Sequence, residues 1–468
     1  MTRLLFLSLL LIIFSCKKEI TNNFDLAITN AQVIHLETGK VENQDIFISN
    51  GRIEAVEAAG LGQFKANSSI DASGKYVLPG FWDNHIHLRG GDSLVANNKN
   101  FLKLFIANGI TTVRDAGGDL TQSVMEWKSQ IESEDLVGPT IFTAGPKIDG
   151  PKATWAGSLE VETEEDIAKA LDSLEALQVD FVKIYDSRIS PYNYIKTIKE
   201  AKKRGFTVSG HMPFTVTLDE TINAGMDGIE HLYYIMKGSA SNEVEVTENI
   251  NNGEMGFWDA MPALLDAYTD STAQNTFNKL KENDVFVVPT LHIGNTLSYL
   301  DEVDHTSDTY LKYMGEGIVQ TYQGRIRSAL NSSQKARENR KQMNAFFGKL
   351  VKSLDDAGVL LLAGSDSGAF NSYTYPGISL HKELAAMVEN GISPLDALRT
   401  STVNGAKFLN QTNDYGAVSK GKVSDLVILK ANPLENIENT RKIYTVIKGS
   451  QVFTEKQLQS LLKNAVIE

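Results

Sequence analysis

The chain has 468 residues, of which 42% are hydrophobic and 22% are charged. This length can bury a large core and fits two domains or one large domain. Acidic residues outnumber basic ones by 58 to 45, giving a formal charge of -13, which argues against nucleic acid or an anionic membrane surface as a general partner.

The N-terminus has the pattern of an export signal. Arg3 precedes an apolar stretch from Leu4 to Phe14, and the chain turns polar directly after Cys16. A basic start, a short apolar middle and a small residue before the cut are typical of a secretory signal peptide. We therefore predict a signal at residues 1–16 and a tether at residues 17–24.

This segment also resembles a bacterial lipoprotein signal, although Phe14 stands where such signals usually carry a small residue. The resemblance implies that Cys16 becomes lipidated and that the exported protein is anchored to a membrane of the cell envelope. A plain secretory signal is the alternative. Cys16 is the only cysteine, so no internal disulfide can form. The rest of the chain has no long apolar run, which makes the lipid anchor the only predicted membrane contact.

Both ends of the remaining chain read as short β-strands. The N-terminal strand patterns cover 26–35, 44–48 and 52–56, and Asn50-Gly51 between the last two is a strong hairpin signal. Similar patterns at 423–429 and 443–449 lie near the other end. This arrangement predicts one small sheet domain built from both termini.

The middle of the chain alternates strand and helix patterns. Helical periodicity is clear at 164–177 and 192–204. Seven strand patterns follow an opening strand that ends near residue 87, and they are 110–115, 140–145, 180–185, 206–211, 228–231, 285–292 and 359–366. Alternation of this kind predicts an α/β fold, a (β/α)8 TIM-like barrel, over residues 81–411.

Polar residues follow the ends of these predicted strands. They are His85, His87, Lys183, His211, His231 and Asp366. In such barrels the chemistry lies at the C-terminal ends of the strands, so these side chains should converge. Imidazole and carboxylate ligands suit zinc and related divalent ions. Burial of Lys183 would favour its neutral amine, which can take up carbon dioxide to form an anionic carbamate able to bridge two metals.

Each of these residues also has an ordinary structural interpretation. A lone histidine such as His211 or His231 is more often a structural residue than a ligand. Lys183 could be ion-paired, and Asp366 in Gly-Ser-Asp-Ser-Gly could cap a following helix. Their joint occurrence in this order favours the metal site. His35, His305 and His381 are interpreted as structural.

The order His-x-His, Lys, His, His, Asp resembles the amidohydrolase superfamily in its binuclear, carboxylated-lysine form. The segments 391–398, 402–406 and 416–434 carry the same resemblance. It implies a metal-dependent barrel joined to a small β-sandwich, here residues 25–80 and 412–460.

The resemblance also assigns roles to the candidate ligands. It implies two divalent ions, with zinc expected, and carbon dioxide as a carbamate on Lys183 that bridges them. One ion would be held by His85, His87 and Asp366, and the other by His211 and His231. Asp366 would also transfer protons as general acid and base.

Two motifs resemble the branch that contains prolidase-type dipeptidases and imidazolonepropionase. They are Thr112-Val113-Arg114-Asp115 and Gly228-Ile229-Glu230-His231. Many members of that branch carry Gly-Gly-His after the third strand, whereas this chain has residues 151–157 of different sequence there. Arg114, Tyr233 and His292 are candidate substrate contacts. Arg114 could instead form an internal ion pair, and Tyr233 could be core packing.

Two insertions, 239–281 and 310–354, exceed ordinary loop lengths. They are interpreted as helical additions to the barrel, with a lid or partner surface as the alternative. We predict a hydrolase that cleaves a C–N bond of a small peptide-like or cyclic amide. A homo-oligomer is compatible with the sequence. The alternatives are a deaminase or lactonase on the same barrel, and a surface binding protein without turnover.

Overall fold

The structure is a computed structural model, and it describes residues 23–61 and 64–467. The predicted signal, Cys16 and most of the predicted tether lie outside these residues. Among the described residues, we find no helix with the length and apolar character needed to span a bilayer.

Strands occupy both ends of the described chain and alternate with helices between them. The strands are β1 (Asn23–His35), β2 (Lys40–Ser49), β3 (Arg52–Ala58), β4 (Lys65–Asp71), β5 (Tyr76–Pro79), β6 (Phe81–His87), β7 (Ile110–Asp115), β8 (Thr140–Thr143), β9 (Ile148–Asp149), β10 (Leu159–Glu160), β11 (Val182–Ile184), β12 (Val208–Gly210), β13 (Gly228–Glu230), β14 (Phe286–Val288), β15 (Ser367–Gly368), β16 (Leu426–Leu429), β17 (Ile443–Lys448) and β18 (Gln451–Thr454).

Helices cover most of the segments that connect the central strands. They are α1 (Val95–Ala107), α2 (Thr121–Glu132), α3 (Glu164–Leu177), α4 (Pro191–Lys203), α5 (Leu218–Ala224), α6 (Tyr233–Gly238), α7 (Glu243–Asn251), α8 (Phe257–Asp266), α9 (Asp270–Glu282), α10 (Leu291–Ser298), α11 (Gly315–Leu330), α12 (Gln334–Ala357), α13 (Ile378–Glu389), α14 (Pro394–Thr400), α15 (Val403–Phe408) and α16 (Glu455–Asn464). Short 3-10 helices lie at Asp92–Leu94, Leu311–Tyr313 and Ile437–Arg441.

The two ends of the chain share one sheet, as predicted. Its order is β18-β17-β16-β5-β1-β2-β3, and β4 pairs in parallel with β1. Asn50 (φ 50°) and Gly51 (φ 69°) form the predicted turn between β2 and β3, because this tight turn needs two positive φ angles. The sheet is hydrogen-bonded along one path, so the predicted β-sandwich is not confirmed.

The central strands are parallel and form two sheets. One sheet has the order β15-β6-β7-β8, and the other has the order β10-β9-β11-β12-β13-β14. At one gap, Asp180 N donates a backbone hydrogen bond to Thr143 O (2.9 Å). At the other gap, residues 359–366 lie between the sheets: Val287 N donates to Leu360 O (2.9 Å) and Asn84 N donates to Ala363 O (2.9 Å). The α/β class is as predicted, but the strands do not form a closed barrel.

The predicted eighth strand is the element that differs most. Residues 359–366 contain only an isolated parallel bridge between Leu361 and Val287. A Cβ on Gly364 would lie 2.5 Å from the Cβ of His85, so the backbone here runs against the histidine strand. Asp366 then takes a left-handed conformation (φ 53°), and the two-residue strand β15 follows it and pairs with β6. In this segment the backbone packs closely against β6, and an ordinary strand does not form.

Candidate metal centre

Strand β6 positions two histidines with a fixed hydrogen-bonding pattern. Every residue of this strand is buried. His85 Nδ1 lies 2.5 Å from Glu230 Oε2, and His87 Nδ1 lies 3.0 Å from the carbonyl oxygen of Gly117. A carbonyl and a carboxylate only accept hydrogen bonds, so both Nδ1 atoms carry the proton. Both Nε2 atoms therefore present lone pairs.

These lone pairs point toward one another and toward a carboxylate. The two Nε2 atoms are 3.3 Å apart. Asp366 Oδ1 lies 3.2 Å from Nε2 of His87 and 3.5 Å from Nε2 of His85. Three acceptors thus converge without a proton between them, which is unfavourable unless a cation lies there. Imidazole nitrogen and carboxylate oxygen are ligands that divalent zinc accepts.

His231 joins this group through a strained backbone. It has φ 70° and its Nδ1 lies 2.7 Å from Thr290 Oγ1. One ligand atom from each of His85, His231 and Asp366 lies within 4.8 Å of the others. Left-handed backbone at both His231 and Asp366 is the kind of strain that surrounding structure maintains at functional sites.

His211 lies beside His231 and is held from behind. The centroids of the two rings are 4.9 Å apart. His211 Nδ1 is 3.1 Å from Asp186 Oδ1, and the Tyr234 hydroxyl donates to Asp186 Oδ2 at 2.8 Å. Carboxylate support of this kind orients histidine ligands and leaves Nε2 for the metal.

Lys183 is a buried amine beside Glu230, the carboxylate that contacts His85. Its side chain is fully buried, and Nζ lies 3.5 Å from Glu230 Oε1 without a hydrogen bond. Burial lowers the pKa of this amine to about 8, although the neighbouring Glu230 carboxylate acts in the opposite direction. A buried amine without a hydrogen-bond partner, beside four histidines and a carboxylate, fits a group that gains negative charge before it binds metal.

Glu230 is a site residue that the sequence interpretation missed. It immediately precedes His231, and its buried carboxylate accepts from His85 and from Arg114 Nη2 at 2.9 Å and 3.1 Å. Burial opposes its ionisation, but Arg114 and Lys183 hold its pKa well below the ordinary value. A charged residue inside the short apolar strand Gly-Ile-Glu was the available signal.

The prediction that Arg114 contacts substrate needs correction. Its guanidinium is fully buried and donates to Glu230, to the Asn84 carbonyl and to Ser209 Oγ. It therefore matches the alternative of an internal ion pair and positions the carboxylate behind His85.

A cavity of about 520 Å³ opens above His211, His231 and Asp366. Tyr233 lines it, in agreement with the prediction of a pocket position. Other lining side chains come from the two insertions, and they are Phe257, Trp258, Arg325 and Phe347. The insertions are helical, as predicted, and they also form part of this wall.

His292 does not line this cavity, and its predicted substrate contact needs correction. It lines a separate pocket with Asn295 and Lys382. The seventh strand ends at Val288, and Thr290 turns through a left-handed conformation (φ 51°) before α10 begins. The expected strand end is thus a helix, which carries His292 away from the metal ligands.

Asn371 is a second residue that the sequence did not reveal. Its Nδ2 donates to Asp366 Oδ1 at 2.7 Å, and its Oδ1 accepts from Arg89 and Arg325. It lies in the irregular segment after β15, where neither periodicity nor spacing marks a position. Only the folded structure connects it to Asp366.

Comparison with known proteins agrees with this geometry. A model of the amidohydrolase family matches residues 76–452. An adenine deaminase from Listeria welshimeri is 23% identical over 437 residues, which are 92% of this chain and 58% of that protein. The chain thus spans little more than half of that relative. A Danio rerio protein named "Probable imidazolonepropionase" is 24% identical over 449 residues, covering 90% of this chain and 92% of its own.

Solved structures with the same fold include a bottromycin amidohydrolase and an Xaa-Pro dipeptidase. A bottromycin amidohydrolase superimposes with a TM-score of 0.73 at 20% identity, covering 94% of this chain and 89% of its own. An Xaa-Pro dipeptidase with bound methionine superimposes with a TM-score of 0.68 at 20% identity, covering 92% and 99%. At this identity the likeness establishes the fold alone.

Proposed function

Since the chain belongs to the amidohydrolase family, whose model matches most of its length, we propose that it is a metal-dependent hydrolase of an amide-type C–N bond in a small molecule. The observation that carries this proposal is the convergence of the His85, His87 and Asp366 lone pairs on one point. In the same proposal, the central strands form the (β/α)8 barrel of the family and the terminal sheet forms its β-sandwich.

The donor set would hold two divalent ions, with zinc favoured by imidazole ligands. His85, His87 and Asp366 would hold one ion, His211 and His231 the other, and carboxylated Lys183 would bridge them. When bound, such ions lower the pKa of water and polarise a carbonyl.

Asp366 is the group that moves protons. Its Oδ1 accepts from Asn371, Oδ2 lies 4.0 Å from His231 Nε2, and the residue lines the cavity. We assign to this carboxylate the removal of a proton from the attacking water and its delivery to the leaving nitrogen. General acid–base catalysis needs such a group within reach of both atoms.

The cavity favours a substrate with an apolar part. Tyr233, Phe257, Ile293, Leu297 and Phe347 supply apolar and aromatic surface around the candidate ligands. A peptide-like or cyclic amide of small size fits this lining. The adenine deaminase relative makes deamination the second candidate, because an aromatic wall also suits a flat heterocycle. Release of ammonia separates the two reactions.

The metal content of the purified protein tests the proposal. We expect about two divalent ions per chain. Lys183→Met should lose most of the bound metal, whereas Lys237→Met should keep it, because Lys237 is an equally buried lysine that donates to Val216 O and Thr247 Oγ1 away from the site. About one ion, unchanged by Lys183→Met, would remove the bridging role and favour the deaminase.

Turnover provides the second half of this test. N-acyl amino acids, dipeptides and cyclic amides would be screened for hydrolysis, with adenine as the deaminase probe. Asp366→Asn should abolish turnover of any substrate found; turnover that survives this change would contradict the proton-transfer role. Export and lipidation at Cys16 remain part of the proposal on the sequence pattern alone.

A further inference from the structure

Two cationic side chains flank one indole ring close to the candidate metal centre. Arg89 Cζ lies 4.0 Å from the centre of the Trp155 ring, and Lys147 Nζ lies 5.0 Å from it. Both cationic residues are buried, Arg89 with 4% and Lys147 with 2% of its surface exposed. A third cation, Arg325, lies on the cavity wall nearby.

The hydrogen-bond acceptors of these three side chains carry no charge. Arg89 donates from Nε to Ala369 O at 3.0 Å and from Nη2 to Asn371 Oδ1 at 3.3 Å. Arg325 donates to Phe370 O and also to Asn371 Oδ1, each at 2.9 Å. Two guanidiniums therefore share one neutral oxygen.

Lys147 is still less satisfied, because its buried Nζ has no hydrogen-bond partner among the described residues. Burying charge without compensation costs several kcal/mol or neutralises the group. Burial, together with Arg89 and Lys183, does lower the pKa of Lys147 well below its ordinary value. Arg114 shows the contrasting arrangement, since it is buried against Glu230.

Of these three side chains, Arg325 lines the cavity that contains Asp366, and Arg89 and Lys147 are buried close to its wall. Arg325 lines the cavity together with Asp366 and Tyr185, and Lys147 Nζ lies 5.4 Å from the centre of the Tyr185 ring. The amide of Asn371 joins Asp366 to the two arginines. A ligand at this end of the cavity would meet the Arg325 guanidinium, which shares the Asn371 oxygen with Arg89.

We propose that Lys147, Arg89 and Arg325 form a subsite for the carboxylate of the substrate. This inference rests on the proposed function and deepens it. A carboxylate can receive the planar fork of a guanidinium and the single charge of an ammonium at once. A bound carboxylate would also favour the protonated form of Lys147 and provide the hydrogen-bond acceptor that its Nζ lacks.

The subsite defines the substrate class more closely. The carboxylate end lies on the Trp155 side of Asp366, and the apolar part lies against Tyr233 and Phe257. N-acyl amino acids and dipeptides with a free C-terminus have this shape. Esters and amides of the same molecules lack the charge and should be poor ligands.

Binding measured apart from turnover tests this subsite. Calorimetry on the full chain, both as purified and after chelator treatment, would compare N-acetyl-L-phenylalanine and N-acetyl-L-leucine with their primary amides. We expect each acid to bind about tenfold or more tightly than its amide, since hydrogen bonds to charged groups are worth this much. The chelated sample excludes direct binding of the carboxylate to metal.

Variants identify the side chain responsible. Lys147→Met should lower the affinity for the acids about tenfold and leave the affinity for the amides unchanged. Lys147→Arg should keep part of the preference for the acids. Lys237→Met serves as the buried-lysine control and should retain it. Melting temperatures would show that each variant is folded.

The outcomes are distinct from those of the hydrolase test. Equal affinity for acid and amide in both pairs would overturn the subsite, as would a loss of affinity in Lys147→Met that is the same for acid and amide. Acid-selective binding without hydrolysis of any amide would leave the subsite in place and reject the proposed reaction.

Discussion

The residue with the widest influence on the candidate site is Glu230, which binds no predicted metal itself. Its carboxylate accepts from His85 and Arg114 and lies 3.5 Å from Lys183 Nζ. It therefore fixes the tautomer of one ligand and contacts the amine of another. Residues that hydrogen-bond to metal ligands commonly affect the metal affinity as well as the orientation of those ligands.

Replacing Glu230 by Gln should lower metal affinity about 10- to 100-fold while leaving the fold intact. The amide oxygen can still accept from His85, but the negative charge beside Arg114 is lost. Competition with a chromogenic chelator measures the affinity.

The matched control is Glu383→Gln. Glu383 is equally buried, accepts from the backbone N–H groups of Leu291 and His292, and has a pKa raised by burial to about 8. Gln keeps only one acceptor oxygen for these two N–H groups, so this variant measures the effect of core damage away from the histidines, and we expect its metal affinity to be unchanged. Equal loss of affinity in both variants would show a general effect of core damage and contradict the assigned role of Glu230.

At the scale of elements, α8 places a large apolar side chain at the cavity rim. Trp258 is 62% exposed, and its ring lies 6.2 Å from Tyr233 and 5.0 Å from Phe257, centre to centre. An indole left in water beside an aromatic wall can close over an apolar ligand. We therefore expect the insertion that carries α8 to contribute to substrate binding.

Trp258→Ala should raise KM for substrates with a bulky apolar group about 2- to 10-fold, since an aromatic contact contributes about 0.5–1.5 kcal/mol. kcat should stay near the wild-type value, because Trp258 is remote from the groups that transfer protons. Steady-state kinetics on one apolar and one small substrate would measure this. Tyr192→Ala removes another exposed ring, away from the cavity, and should leave KM unchanged; an equal rise in both variants would reject the rim role.

Local pattern predicted the helices of this chain better than its irregular strand ends. The helix predicted over 164–177 is α3 as observed, because Thr163 and Asp166 form a capping box at its start. The strand predicted to end at His292 fails, since the left-handed turn at Thr290 is not visible in an apolar sequence pattern. The ligands ordered by chain position do converge, whereas Asn371 and Lys147 reach the site only through tertiary packing.

At the scale of the whole molecule, His381 joins segments that are distant in sequence. On α13, its Nδ1 lies 3.0 Å from Thr440 Oγ1 and its Nε2 lies 2.9 Å from the carbonyl oxygen of Asn108. It therefore connects the end of α1 with the 3-10 helix Ile437–Arg441. The structural interpretation of this histidine agrees with these contacts, although its partners could not be predicted from the sequence.

Because His381 is buried, the free energy of unfolding depends on pH in a defined window. Burial lowers the pKa of His381 to about 4, from 6.5 in the unfolded chain. As pH falls, the unfolded state binds the proton first, so the stabilising contribution is complete above pH 6.5 and is lost progressively toward pH 4. The free energy lost is on the order of 3 kcal/mol, from 1.36 kcal/mol per pKa unit.

His381→Gln should remove this part of the acid sensitivity, because the amide does not titrate in that window. Denaturant unfolding of the chelator-treated protein at pH 7, 5.5 and 4 measures it, with metal release excluded by the chelator. The variant should be less stable than the wild type at pH 7, where the native imidazole bonds are intact, and the difference should shrink at pH 4. A gap that stays constant across the three pH values would show that His381 remains uncharged in the unfolded chain or charged in the folded one, and would contradict its role as the buried neutral link between these segments.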